Sequence, residues 1–115
     1  MEISAVDGSE SPISSGDASI NLKFVANEDT TSFTVASITK TGGCTLINFA
    51  ASTIIGEESN VFTATLQPPT GGTPAECVVK VAAGAFEDAA GDGNDASNAF
   101  TWNYTGKANC QLLLR

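Results

Sequence analysis

The chain contains no histidine, and five basic residues stand against thirteen acidic ones, a formal net charge of −8 over 115 residues. Without an imidazole, the Ser-His-Asp and Cys-His arrangements are excluded, and so are most catalytic zinc sites. Lys23, Lys40, Lys80, Lys107 and Arg115 are scattered along the sequence. No basic patch is therefore available, and neither nucleic acid nor an anionic bilayer is expected as a partner. No apolar run approaches the roughly 20 residues of a membrane helix, so direct membrane insertion is not expected. The first fifteen residues are acidic and polar and lack the basic and apolar regions of a secretion signal. Two settings remain, a cytosolic protein or a domain of a longer exported chain. No nucleophile is paired with a base, and no glycine-rich phosphate loop follows a strand. No enzymatic activity is expected, and no catalytic residue is assigned.

Helical periodicity is also nearly absent. Apolar residues alternate with period two, and Gly, Pro, Asn and Asp punctuate the chain at short intervals. The alternation predicts strands over Glu2–Val6, Ser19–Val25, Cys44–Phe49, Asn60–Leu66, Glu76–Val81 and Ala99–Thr105, with a short strand from Phe33 to Ile38. In Cys44–Phe49 both faces carry apolar side chains, which predicts burial on both sides. Ser14–Asp17 and Asn27–Thr31 read as turns, as do Gly42-Gly43 and the stretch from Pro68-Pro69 to Gly71-Gly72, where a ladder cannot continue. About seven short strands with turns between them imply a two-sheet antiparallel β-sandwich. The sandwich is expected over residues 1–106, with residues 107–115 a tail or the start of a linker.

The strand Val78–Val81 runs into a long loop of small residues, and Phe100, Trp102 and Tyr104 then alternate on the last strand. The segments Ser32-Phe33-Thr34, Ile38–Gly43 and Phe62–Pro68 resemble the bacterial Ig-like domains found in tandem in surface and adhesin proteins. The resemblance is closest in Val79-Lys80-Val81, Ala83-Gly84-Ala85 and Asp88-Ala89-Ala90-Gly91, and it covers most of residues 18–105. In those domains an Asn commonly follows that last Gly; here Asp92 stands there. The resemblance implies an Ig-like sandwich at the cell surface or outside the cell. It further implies a non-catalytic spacer or adhesive unit whose partners are neighbouring domains, a surface protein or a glycan. Two other readings stay open, a carbohydrate- or ligand-binding module and an accessory domain of a secreted hydrolase.

Cys44 and Cys77 fall on two predicted strands, and Cys77 shares its inward face with Val79 and Val81. They are either a disulfide within the sandwich or two buried free thiols. A disulfide would place the chain in an oxidising compartment. Cys110 is left over; it either pairs with another chain or a neighbouring domain, or is incidental. Four of the thirteen acids, Glu87, Asp88, Asp92 and Asp95, lie in one loop where Asn94 adds a carbonyl oxygen. Hard oxygen donors suit Ca²⁺, and Asp88, Asp92, Asn94 and Asp95 are the candidate ligands, with Asp7 and Asp17 as possible contributors from other loops. The alternative is a solvated loop whose Asp and Asn cap their own turns. Phe100, Trp102 and Tyr104 are expected in the core, the alternative being a sugar-stacking platform. Asn103-Tyr104-Thr105 is a glycosylation sequon with Asn103 on the opposite face, expected to be exposed.

Overall fold

The computed structural model describes residues 1–106; the expectations for Cys110 and for the tail fall outside them. Eight strands form two four-stranded sheets. In chain order they are β1 (Glu2–Ala5), β2 (Ile13–Ser15), β3 (Ile20–Val25), β4 (Thr39–Thr41), β5 (Thr45–Ala51), β6 (Val61–Gln67), β7 (Ala75–Lys80) and β8 (Phe100–Tyr104). One sheet has the order β1-β3-β6-β5 and the other β2-β8-β7-β4. All pairings are antiparallel except β2 with β8, which is parallel. The chain opens on the edge of one sheet with β1 and crosses to the edge of the other with β2.

The core follows from the alternation. β3 and β6 pair along their lengths, from Ile20 opposite Leu66 to Val25 opposite Val61. Leu22 and Phe24 from β3 and Phe62, Ala64 and Leu66 from β6 are buried. They meet Cys77 and Val79 from β7 and Phe100, Trp102 and Tyr104 from β8. Each large apolar side chain taken from water contributes about 1.5–3 kcal/mol, so this seam is the main source of stability. The three β8 aromatics lie inward as expected. Trp102 is fully buried, its Nε1–H donates to Ser15 Oγ at 3.0 Å, and its ring meets Tyr104 edge-on at 5.2 Å.

Three expectations need correction. The short strand from Phe33 to Ile38 is instead a 3₁₀ turn over Val35–Ser37, with β4 beginning only at Thr39. Ser37 N–H donates to Thr34 O at 2.9 Å, and Thr34 N–H to Ser37 Oγ at 3.2 Å. Such local bonds compete with a ladder, and here they win. Phe33 nevertheless reaches the core, within 5.0 Å of Phe62 and 4.9 Å of Phe86 between ring centroids. Second, the turn-like region around Ser14 holds β2, whose three residues pair with Trp102, Asn103 and Tyr104. Third, β5 is not buried on both sides. It is an edge strand, and the register shifts between Ile47 and Ala50 around Asn48, whose φ is 57°. The bulge changes the phase, so the half-buried apolar residues are Leu46 and Phe49, three apart, while Ile47 is exposed.

The cysteines form a disulfide. Cys44 immediately precedes β5 and Cys77 lies on β7, so the bridge ties one sheet to the other, with a Cα–Cα distance of 5.9 Å and both residues buried. Closing a loop with a sequence separation of 33 stabilises the fold by roughly 4 kcal/mol in the chain-entropy account.

Candidate functional site

Three loops meet at one end of the sandwich, namely residues 26–38, 52–60 and 81–99. Main-chain bonds stitch them together. Ala26 N–H donates to Asn60 O and Thr30 N–H to Ser59 O, both at 2.8 Å, and Ala89 N–H donates to Asp29 O at 3.1 Å. Thr30 is the only buried polar residue among those described. Its hydroxyl donates to Glu87 O and accepts from Ser32 N–H at 3.1 Å. Ser32 Oγ accepts from Glu87 N–H at 2.8 Å. A Thr and a Ser thus hold the 81–99 loop against the 26–38 loop, which the sequence did not announce.

This end is acidic. The 26–38 loop carries Glu28 and Asp29, the 52–60 loop Glu57 and Glu58, and the 81–99 loop Glu87, Asp88, Asp92 and Asp95. No Lys or Arg lies in any of the three. Asp88, Asp92, Asn94 and Asp95 line one open cavity of about 270 Å³ together with Met1 and Glu28.

Two of the four candidate ligands hold up the loop itself. Asn94 Oδ1 accepts from Phe86 N–H at 2.9 Å, and its Nδ2 donates to Ala82 O at 2.9 Å and to Asp95 O at 2.8 Å. Asp88 Oδ1 accepts from Ala90 N–H and Asp92 N–H, each at 2.9 Å. These are turn-capping roles. Asp92 and Asp95 are exposed on the same loop. Among the described residues, no three acidic or cysteine side chains are grouped as metal ligands. Asp7 and Asp17 do not join this loop; they line a different cavity of about 220 Å³ with Val6 and Ile13. Asp7 instead accepts from Ser9 N–H at 2.9 Å, which holds its carboxyl below the usual range.

Glu28 is the member of this site that sequence reasoning missed, because Asn27–Thr31 read only as a polar turn. Its carboxyl lines the same cavity as that of Asp88. Hydrogen bonding toward Asp88 and the repulsion between the two carboxyls raise its pKa above 4.5, while hydrogen bonding toward Glu28, followed by the loop amides, lowers Asp88 below 3.8. Two neighbouring carboxyl groups share a proton more readily than they both ionise.

The remaining candidates are placed without ambiguity. Phe100, Trp102 and Tyr104 are core residues, so a sugar platform on that face is overturned. Asn103 is half-buried, between Ser14 of β2 and Glu76 of β7 in the middle of its sheet, rather than exposed.

Strands β1-β3-β6-β5 against β2-β8-β7-β4 have the four-and-three-plus-edge layout of an immunoglobulin-like sandwich. That layout defines the class of an Ig-like module. A family model of the bacterial Ig-like domain matches residues 3–104, and the chain belongs to that family. Such domains are generally non-catalytic and are typically found in extracellular or surface proteins. Among the described residues, no helix is long and apolar enough to cross a membrane. No curated protein and no solved structure matches the chain.

Proposed function

We propose that this chain is a non-catalytic module of an exported surface protein, acting as a rigid spacer or contact unit between neighbouring domains. The observation that carries this reading is where the chain enters and leaves the sandwich. Met1 lines the acidic cavity at one end. β8 runs away from that end, from Phe100 opposite Val79 to Tyr104 opposite Ala75, and Gly106 sits beside Gly72 and Pro74 at the other. Tension between neighbours would therefore pass along the whole sandwich. β2 and β8 are parallel, so pulling β2 back toward the acidic end and β8 away from it shears their ladder instead of unzipping it. The disulfide keeps the segment from Cys44 to Cys77 from extending at all. Calcium belongs to this proposal as an ion shared between the acidic end and oxygen donors of an adjacent domain, Asp92 and Asp95 being the carboxylates on the open face.

Single-molecule extension of the chain, held at both termini, tests the spacer reading. The expected record is one cooperative rupture under load. Reduction then adds roughly 110 Å of extended length, since 33 residue steps contribute about 3.5 Å each. Gradual lengthening at negligible force would remove the spacer reading.

A further inference from the structure

Two aspartates of this chain are each followed by a glycine, Asp7-Gly8 and Asp92-Gly93, and both pairs are exposed. The other four aspartates precede alanine or threonine. An Asp-Gly pair carries chemistry of its own. The side-chain carboxyl and the next main-chain nitrogen can close a succinimide ring, and a glycine in the second position has no Cβ to obstruct the approach. The two pairs are alike in sequence, and the fold treats them differently.

At Asp7 both reacting groups are engaged. Gly8 N–H donates to Ala5 O at 3.0 Å, and the Asp7 carboxylate accepts from Ser9 N–H at 2.9 Å, which favours its ionised form. At Asp92 neither group is engaged. Among the described residues, Gly93 N–H has no hydrogen-bond acceptor and the Asp92 carboxylate no donor. The bridge between Glu87 and Gly93 explains the free amide. Its bonds are made by the neighbouring residues, Asp88 N–H to Asp92 O at 2.9 Å and Asn94 N–H to Phe86 O at 3.0 Å, so the Gly93 amide points away from them. Asp92 and Gly93 both line the open cavity of about 270 Å³, where water has access.

We propose that Asp92-Gly93 is a site of spontaneous covalent rearrangement in the folded protein, from aspartate to isoaspartate. The Gly93 nitrogen adds to Cγ of the neutral Asp92 carboxyl. The N–Cγ bond forms, the Cγ–OH bond breaks, and the hydroxyl leaves with the amide proton as water. The succinimide then takes up water from the open cavity. Opening at Cγ restores aspartate; opening at the main-chain carbonyl carbon leaves Gly93 joined through Cγ and frees the α-carboxyl. The electrons balance without oxidant or reductant, and the loop keeps its charge. The main chain, however, gains a carbon where Asp92 O accepts from Asp88 N–H, so the bridge falls out of register. That bond is also the one that resists rotation of Gly93 N onto Cγ. At Asp7 two bonds resist, one of them to a carboxylate, and the difference corresponds to about tenfold in rate.

This inference stands on the loop geometry and is independent of the spacer reading. The test incubates the full chain, folded and non-reduced, at mildly acid pH for several weeks, beside the same chain reduced and unfolded in guanidinium chloride. After dialysis, isoaspartate is read as labelled methyl transferred from S-adenosylmethionine by an isoaspartate-specific O-methyltransferase, and the label is located by peptide mapping. In the folded chain, residue 92 is expected to gain label about tenfold faster than residue 7, through an intermediate one water lighter. In the unfolded chain the two residues are expected to react at comparable rates, since the dipeptides are the same. Asp92→Glu keeps the carboxylate but requires a larger ring that closes far more slowly, and the peptide holding residue 92 should then stay unlabelled. Three results would overturn the proposal: residue 7 reacting as fast as residue 92 in the folded chain, no label at residue 92 while the unfolded chain acquires it, or label persisting on that peptide in Asp92→Glu.

Discussion

At the residue scale, Gly42 shows how little freedom the far-end turns retain. Its φ is +94°, and a Cβ added there would lie 2.0 Å from the Glu76 carbonyl oxygen. Both the backbone conformation and the space exclude a side chain, since the neighbour is main chain and cannot swing away. Gly42→Ala is expected to destabilise the domain by about 2–4 kcal/mol in urea unfolding. Asn94 makes the complementary point about the acidic loop. Its amide nitrogen donates twice, so Asn94→Asp removes two bonds and aims a carboxylate at two carbonyls. A loss of about 2 kcal/mol is expected, measured by thermal or chemical melts in chelator. A primary role as a calcium ligand would produce the opposite pattern, tighter ion binding with unchanged stability. The crowding at Gly42 was not readable from sequence, and Asn94's capping role stood only as one of two alternatives, because a glycine or asparagine in a loop looks the same whether it faces water or a neighbouring strand.

At the scale of elements, the two loops that carry Glu28 and Asp88 have a pH dependence whose sign follows from their shifts. Glu28 is raised, so its contribution is complete below its ordinary value of 4.5 and is lost as pH rises through its higher folded value. Asp88 is lowered, so its contribution is present above its ordinary value of 3.8 and is lost as pH falls through its lower folded value. The contact between the two loops is therefore best satisfied near pH 4, with Glu28 protonated and Asp88 ionised. Glu28→Gln keeps the donor and removes the charge. Its melting temperature should match the unaltered protein near pH 4 and exceed it at pH 7; equal melts at both pH values would show that the carboxyl pair does not couple to folding.

Strands with strong alternation were legible at this same scale. The stretches from Ile20 to Val25, Val61 to Gln67 and Phe100 to Tyr104 each have one apolar face and lie in the middle of a sheet, where both pattern and pairing agree. The misread segments, β2, β5 and the turn over Val35–Ser37, lie at edges or between sheets. There a strand has one neighbour or none, and a bulge or a pair of Ser and Thr hydroxyls is enough to change the outcome.

At the scale of the whole molecule, the module is polarised: eight acids and an apolar tip stand at one end, while the turns at the other end, Gly42–Cys44, Pro68–Pro74 and the turn between β2 and β3, carry only Asp17. Carboxylates crowded on one end raise the free energy of the folded state at low ionic strength, and a divalent ion offsets that repulsion when it binds. If calcium acts within a single module, excess Ca²⁺ should raise the melting temperature of the non-reduced chain above that in chelator. Identical melts would remove the ion from the isolated domain and leave it only at a junction with a neighbour.

The sequence by itself determined the all-β class, the inward faces of the central strands, the burial of Trp102 and its flanking aromatics, the family resemblance and the absence of histidine-based chemistry. Each depends on periodicity or composition, which are properties of the chain before it folds. Tertiary structure alone decided that Cys44 meets Cys77, that Glu28 and Asp88 line one cavity, and that eight acids gather at one end. Those are contacts between segments far apart in sequence, and they exist only once strand order has set which loops share an end.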